Sequence, residues 1–231
     1  MGFASGNKMK RTLVRTADGS PTLHLPEWQE HYHSTHGAVQ EAYHVFIDAG
    51  LRALNTPEVR ILEMGFGTGL NALITLLEAE SAGRQVSYLG LEAFPLEPME
   101  WEALNYGTAL GVDGGETYYA ALNRAPWEEE VAISPNFRLH KRQMDFRDFR
   151  QQGGVDLIYF DAFGARVQPE LWTEAIFQAM FDALDPGGVL VTYAAKGSVR
   201  RAMLASGFTV ERLPGPPGKR EMLRASHPKT P

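Results

Sequence analysis

Residues 61–73 read ILEMGFGTGLNAL. An apolar strand, VRILEM (59–64), runs into glycines at 65, 67 and 69 and then into a helical pattern, GLNALITLLEAE (69–80). Strand, glycine-rich turn and helix together bring backbone close to a ligand at the strand's carboxyl end. The alternation continues downstream. VSYLGLEA (86–93) reads as a strand, 95–107 as a helix, FRLHKRQM (137–144) as a strand and DLIYFDAF (156–163) as a fourth. A helix over 169–184 is stopped by Asp185-Pro186-Gly187-Gly188, VLVTYAA (189–195) is a fifth strand, and 198–207 is a helix ending on glycine. FTVERLPG and KREMLRAS pair through Gly215-Pro216-Pro217-Gly218, while 108–135 is less regular, an insertion or a helix with loops. Strands alternating with helices predict an α/β, Rossmann-like fold: a mostly parallel sheet of about seven strands, covered on both faces and closed by an antiparallel C-terminal hairpin.

Upstream, residues 10–25 read as a hairpin turning at Asp18-Gly19, followed by the histidine-rich EWQEHYHSTHG and a helix over about 38–54. Two units are expected: residues 1–55, a hairpin-and-helix extension packed on the core, and residues 56–231, the α/β domain. The 231 residues suit one such domain with a small appendage. Cysteine is absent, which excludes a disulfide framework, a thiolate metal site and a thiol nucleophile. The opening MGFASGNKMK lacks the apolar core of a signal peptide, and no apolar run reaches membrane-span length. The expectation is a cytoplasmic protein with no membrane partner.

The net charge of −6 hides an uneven distribution. Residues 1–16 hold Lys8, Lys10, Arg11 and Arg15 and no acid, and residues 196–231 hold eight basic residues against Glu211 and Glu221. The middle carries 10 basic and 26 acidic side chains. Basic ends flank an acidic body, which is either a solvated surface or a local face for phosphates.

The glycine spacing decides between cofactors. A dinucleotide fingerprint starting at Gly65 and Gly67 requires a small third residue at 70, which is Leu70. Instead Gly69 is the third glycine and Glu63 precedes the set, so the stretch resembles the first motif of class I S-adenosylmethionine (SAM)-dependent methyltransferases. Glu92 ends the second strand, where a carboxylate accepts hydrogen bonds from ribose hydroxyls. Asp145 follows the third strand, at the position that faces the adenine amino group in that fold, with Asp148 as its rival.

Asp161 ends the fourth strand, beside the first, which places it near the methyl to be transferred. Methyl transfer is an in-line displacement, so an acceptor amine must be unprotonated and aimed. A carboxylate accepts the amine's N–H bonds and stabilises charge developing on nitrogen. Asp161-Ala162-Phe163-Gly164 is similar to the Asp/Asn-Pro-Pro-aromatic motif of amine-modifying methyltransferases, with Phe163 as a platform for a planar base. Asp161 is either a base or an orienting group.

GFGTGLN (65–71), DAFGARVQPELW (161–172), PGGVLVTYAAKGSVRRAMLASGF (186–208), PGKREML (217–223) and the N-terminal 18–46 resemble one family: the methyltransferase domain of the bacterial tRNA 5-methylaminomethyl-2-thiouridine biosynthesis enzyme. The resemblance implies methyl transfer from SAM to the aminomethyl group of the wobble uridine, with tRNA as partner. It implies that Asp161 is catalytic, aided by Phe163, and that Glu63, Gly65, Phe66, Gly67, Gly69, Asn71, Glu92, Asp145 and Asp161 surround the cofactor. No second glycine fingerprint exists, so the chain resembles a stand-alone form without FAD, and Asp-Ala-Phe-Gly stands where Asp-Gly-Phe-Ala is expected.

Lys196, Arg200, Arg201, Lys219 and Arg220 are then expected to contact anticodon-arm phosphates. A splayed wobble base would stack on Phe163 or on Trp172, which is also a candidate for the core. His31, His33 and His36 resemble a zinc cluster, but no carboxylate or cysteine set completes it. They are expected to line the site's rim with Gln40 and Glu41, with no metal. The alternative on the same fold is a small-molecule amine methyl- or aminopropyl-transferase; a SAM-binding RNA-interaction protein without turnover is the third reading.

Overall fold

The computed structural model describes residues 10–229; Lys8 lies outside them. Its elements in chain order begin with β1 (Thr12–Arg15), β2 (Pro21–Leu25), β3 (Glu30–His31) and α1 (Ala38–Ala42). The first half of the core is β4 (Glu58–Met64), α2 (Leu70–Ala82), β5 (Gln85–Glu92), α3 (Pro98–Leu104), α4 (Tyr106–Ala109) and α5 (Gly115–Arg124). It continues with β6 (Glu130–Ser134), β7 (Phe137–Gln143), β8 (Val155–Phe160), α6 (Glu174–Ala183), β9 (Leu184–Thr192), α7 (Gly197–Ala205), β10 (Thr209–Pro214) and β11 (Glu221–Ser226).

The strands form an eight-stranded sheet in the order β10-β11-β9-β8-β4-β5-β7-β6. Its centre, β9-β8-β4-β5-β7, is parallel, and β11, β10 and β6 run antiparallel at the edges. The chain leaves β4 toward β5 on one side and returns to β8 on the other, so the crevice between β4 and β8 lies where the strand order reverses. β1, β2 and β3 form a separate small antiparallel sheet.

Both faces of the central strands are covered, which is why they read as unbroken apolar runs. Tyr159, Tyr88 and Leu73 pack on one face with Phe46 of the N-terminal segment. Ile158, Phe160, Phe177 and Met180 pack on the other beneath α6 and α7. Burying each such side chain contributes roughly 1.5–3 kcal/mol, and truncating a buried aromatic such as Phe177 to alanine would cost about 3–5 kcal/mol.

Four local readings change. The sheet has eight strands rather than about seven, because part of 108–135 folds as α5 and then as β6, which pairs with β7 and bulges between Ala132 and Ser134. The expected helix over 38–54 is α-helical only to Ala42 and then widens into π-type turns over Tyr43–Asp48, with Ala49 N–H bonded to the His44 carbonyl. The expected helix over 95–107 breaks at Asn105, whose left-handed backbone (φ 44°) divides α3 from α4. Asp185-Pro186-Gly187-Gly188 bulges the start of β9 rather than preceding it: β8 meets Leu184 and then Val189.

Candidate active site

The glycine turn is shaped first by its neighbours. Gly65 and Phe66 donate backbone N–H bonds to the Leu91 carbonyl of β5, at 3.1 and 2.9 Å. Gly65 has φ 107°, and a Cβ there would lie 2.8 Å from the Asp161 carbonyl oxygen. Glycine at 65 therefore permits two strand ends to approach, and a side chain would separate them. Gly67 and Gly69 also have positive φ, 50° and 76°.

These turns wall a cavity of about 340 Å³ at the carboxyl ends of β4, β5, β7 and β8, a size suited to a small-molecule site. Gly65, Phe66, Gly67, Asn71, Glu92, Asp145, Asp161 and Phe163 line it. Lys219 lines it too and is therefore inside the crevice rather than on an outer phosphate-facing surface. Glu63 and Gly69 stand behind the wall: Glu63 is fully buried, and Gly69 caps α2. Asp145, not Asp148, reaches the cavity. Lys196, Arg200, Arg201 and Arg220 lie away from its lining. The first three form no ion pair with described residues, and Arg220 stands 3.9 Å from Glu221. Arg11, from the basic N-terminal end, turns inward to Glu100 at 2.9 Å.

Asn71 joins three elements. Its amide nitrogen, on α2, donates to Glu63 Oε1 on β4 and to Asp161 Oδ2 beyond β8, both at 2.9 Å. Burial raises the Glu63 carboxyl well above its usual range, and Asp161 adds to the shift. Asp161 is itself pushed up to about 8, chiefly by burial and then by the Glu41 charge, against the Asn71 bond and Lys219. Glu92 is anchored differently: Oε2 accepts from Gly67 N–H at 3.0 Å and Oε1 from Phe94 N–H at 2.8 Å. Asp145 caps a short turn and holds the Arg147 guanidinium, which keeps its carboxyl low.

The Asp161 end of the cavity is aromatic. Trp28 and Tyr32 meet Phe163 edge-on, with ring centroids at 5.3 and 5.1 Å. The Tyr193 hydroxyl donates to the Ala162 carbonyl at 2.8 Å, and Lys219 Nζ lies 3.9 Å from the Tyr193 ring centroid while pairing with Glu41. Trp172 is core: it is 5% exposed, packs on Phe160 and Phe177, and donates its indole N–H to the Phe163 carbonyl. His31 and His33 line the cavity, but His36 and Gln40 do not. His33 bonds Thr68 Oγ1 at 2.8 Å, and burial lowers it to about 4, so it is neutral. Among the described residues no group of three histidine, cysteine or acidic side chains is placed to hold a metal ion. No described helix is long and apolar enough to cross a membrane. Trp28, Tyr32 and Tyr193 escaped sequence reasoning; an aromatic on the last parallel strand and two beside the histidines were their only signal.

A family model described as S-adenosyl-L-methionine-dependent methyltransferase matches residues 123–228. The tRNA 5-methylaminomethyl-2-thiouridine biosynthesis bifunctional protein MnmC of Cupriavidus necator is 31% identical over 92% of this chain and 34% of its own length. The same-named protein of Magnetococcus marinus is 29% identical over 92% of this chain and 34% of its own. The chain thus spans about a third of the length of these curated relatives. The crystal structure of MNMC2 from Aquifex aeolicus superposes with a TM-score of 0.72 at 26% identity, covering 96% of this chain and 72% of that one.

Proposed function

We propose that this chain, which is similar over 92% of its length to the tRNA 5-methylaminomethyl-2-thiouridine biosynthesis proteins and over residues 123–228 to S-adenosyl-L-methionine-dependent methyltransferases, methylates the amino group of 5-aminomethyl(-2-thio)uridine at the wobble position of a tRNA anticodon. The observation that carries this reading is Asp161: a carboxylate at the strand end beside the glycine turn, held by Asn71 and next to an aromatic ring.

The cavity residues fit SAM. Glu92 has one backbone amide on each oxygen, which leaves further lone pairs for a pair of vicinal hydroxyls. Phe146 and Leu171 supply apolar wall for a purine, with Asp145 at its polar edge. Gly67 takes a left-handed backbone (φ 50°) that favours glycine, and a Cβ there would only touch the Tyr32 ring, at 3.4 Å. When bound, SAM supplies an electrophilic methyl on a sulfonium centre.

The chain's own groups then prepare the acceptor. The amine arrives largely as an ammonium, which Asp161 attracts in its ionised form, the form that grows as pH rises toward 8. Asp161 accepts its N–H bonds and directs the nitrogen lone pair toward the methyl once a proton has left to the carboxylate or to water. The product is a secondary ammonium, and its extra proton passes to water, or to Asp161 where that carboxylate has already released the first proton to solvent. Phe163 offers its face to the uracil ring, braced by Trp28 and Tyr32. Lys196, Arg200, Arg201 and Arg220 would meet anticodon-arm phosphates, giving affinity without sequence information. A cytoplasmic location is the one that suits work on tRNA.

Labelled methyl transfer to two bulk tRNA preparations tests the reading. Label should enter tRNA that accumulates 5-aminomethyl-uridines and not tRNA whose modification is complete. Label in neither, with SAM bound, would refute it, and label in free amines instead would move the assignment to small-molecule acceptors.

A further inference from the structure

Six carboxylates line the cavity: Glu30, Glu41, Glu92, Asp145, Asp161 and Glu170. Most are accounted for locally. Glu30 pairs with Arg166 at 2.6 Å, Asp145 pairs with Arg147, Glu92 is held by two backbone amides, and Glu170 stands on the exposed rim. Glu41 and Asp161 remain, both at the acceptor end. Two carboxylates so placed, Glu41 buried and Asp161 half-buried, oppose each other's ionisation unless a cation stands with one of them.

That cation is Lys219. Its ammonium pairs with Glu41 Oε1, and the other oxygen, Oε2, accepts from Ser34 N–H at 2.9 Å. The Glu41 side chain is 10% exposed and that of Lys219 33%, so water screens the pair only in part. The partners come from opposite ends of the chain, Glu41 from α1 and Lys219 from the turn between β10 and β11. Their connection to Asp161 is also mechanical. Lys219 rests on the Tyr193 ring, and the Tyr193 hydroxyl holds the carbonyl of Ala162, the residue after Asp161. Around Asp161 the charged and titratable groups are thus Glu63 from β4 behind Asn71, Tyr88 from β5 beside Glu63, Glu41 from α1, Tyr193 after β9 and Lys219; His33, beside the pair, is neutral.

We propose that Glu41 and Lys219 are positioning residues that work as a matched pair: Lys219 offsets the Glu41 carboxylate, so that Asp161 is the carboxyl left to ionise toward the acceptor amine. The pair rests on the reading of Asp161 as the acceptor-binding group. It also explains why a lysine is built into the cavity that receives a cation. Without Lys219, the uncompensated charge of Glu41 would hold Asp161 protonated to higher pH, and less of it would be ionised when the amine arrives.

The test follows the Asp161 carboxyl by carbon-13 NMR as pH is varied, with no substrate present, in the wild type, Lys219→Met, Glu41→Gln and the double variant. Lys219→Met should raise the Asp161 midpoint by about one pH unit or more, and Glu41→Gln should lower it by a similar amount. The double variant should return close to the wild-type midpoint, and Lys219→Arg should leave it in place. If Lys219→Met does not fold, Glu41→Gln and Lys219→Arg still decide. An Asp161 midpoint common to all folded variants would overturn the pairing. The acid limb of kcat/KM should move with the same midpoints in active preparations. Midpoints that shift as stated in a protein that methylates no tRNA would retain the pair and reject the proposed substrate.

Discussion

The Asn71 amide nitrogen lies 2.9 Å from Asp161 Oδ2 and, on its other side, 2.9 Å from Glu63 Oε1. One neutral side chain thereby separates the buried Glu63 from the Asp161 carboxyl in the cavity wall and fixes how that carboxyl points. Glu63 of the glycine motif does not line the cavity and meets it through Asn71.

Asn71→Ala should leave the fold intact and lower kcat by about 10²-fold, since small misplacement of a reacting group has effects of that size. SAM affinity should change less than kcat. Asn71→Asp should be worse than Asn71→Ala, because it sets a third carboxyl between two others. Steady-state kinetics with SAM titration by calorimetry distinguishes these outcomes.

Asp161 titrates near 8 against an ordinary 3.8, so the folded protein binds its proton more tightly than the unfolded chain. Between those values the folded state holds more protons, and stability from this group falls as pH rises. Asp161→Asn should therefore be more stable than wild type at pH 8, by about 1–2 kcal/mol, with the gain vanishing near pH 4. The same titration predicts that kcat/KM rises with pH to a plateau above about pH 8. Denaturant melts at several pH values and a pH–rate profile check the two signs.

His33 has the opposite linkage. Its folded value of about 4 lies below the ordinary 6.5, so the unfolded chain takes up the proton first as pH falls. Stability from this group is intact above 6.5 and is lost as pH drops toward 4. His33→Gln should flatten that part of the stability curve while an amide keeps the bond to Thr68.

Gly65→Ala should cost about 1–3 kcal/mol through its positive φ alone. The added methyl also meets the Asp161 carbonyl at 2.8 Å, so activity should fall further than stability would explain. Gly83→Ala, at a positive φ with open space around it, is the control: it should lose stability and keep specific activity.

Replacing Lys196, Arg200 and Arg201 by alanine should weaken tRNA binding and reduce the magnitude of its salt slope by up to about 3, while SAM binding stays unchanged. Filter binding at several salt concentrations measures this. An unchanged slope would mean that α7 faces solvent in the complex.

The β4–α2 turn was legible because its signals are local: apolar run, glycines and helical periodicity occupy 61–73 without interruption. The position of Asp161 was legible because an acid at the end of an apolar strand has one place to go in a parallel sheet. Glu41 and Lys219 were not, since nothing local links residues 178 apart; the sequence suggests a rim acid and a phosphate-binding lysine. β6 was missed because Glu130–Ser134 is a half-buried edge strand with weak patterning. The π-type turns over Tyr43–Asp48 keep Val45, Phe46 and Ile47 buried, a demand of packing that helical periodicity does not encode.

The central claim is that Asp161 serves methyl transfer to the wobble amine. It is tested most directly by single-turnover reactions of SAM-loaded wild type and Asp161→Asn with tRNA bearing 5-aminomethyl-uridine, digested and analysed as nucleosides. The account predicts 5-methylaminomethyl-uridine from the wild type, and a rate lower by about 10²–10⁴-fold in the variant at equal SAM occupancy. Equal rates in the two proteins, or methyl recovered in a different nucleoside, would contradict it.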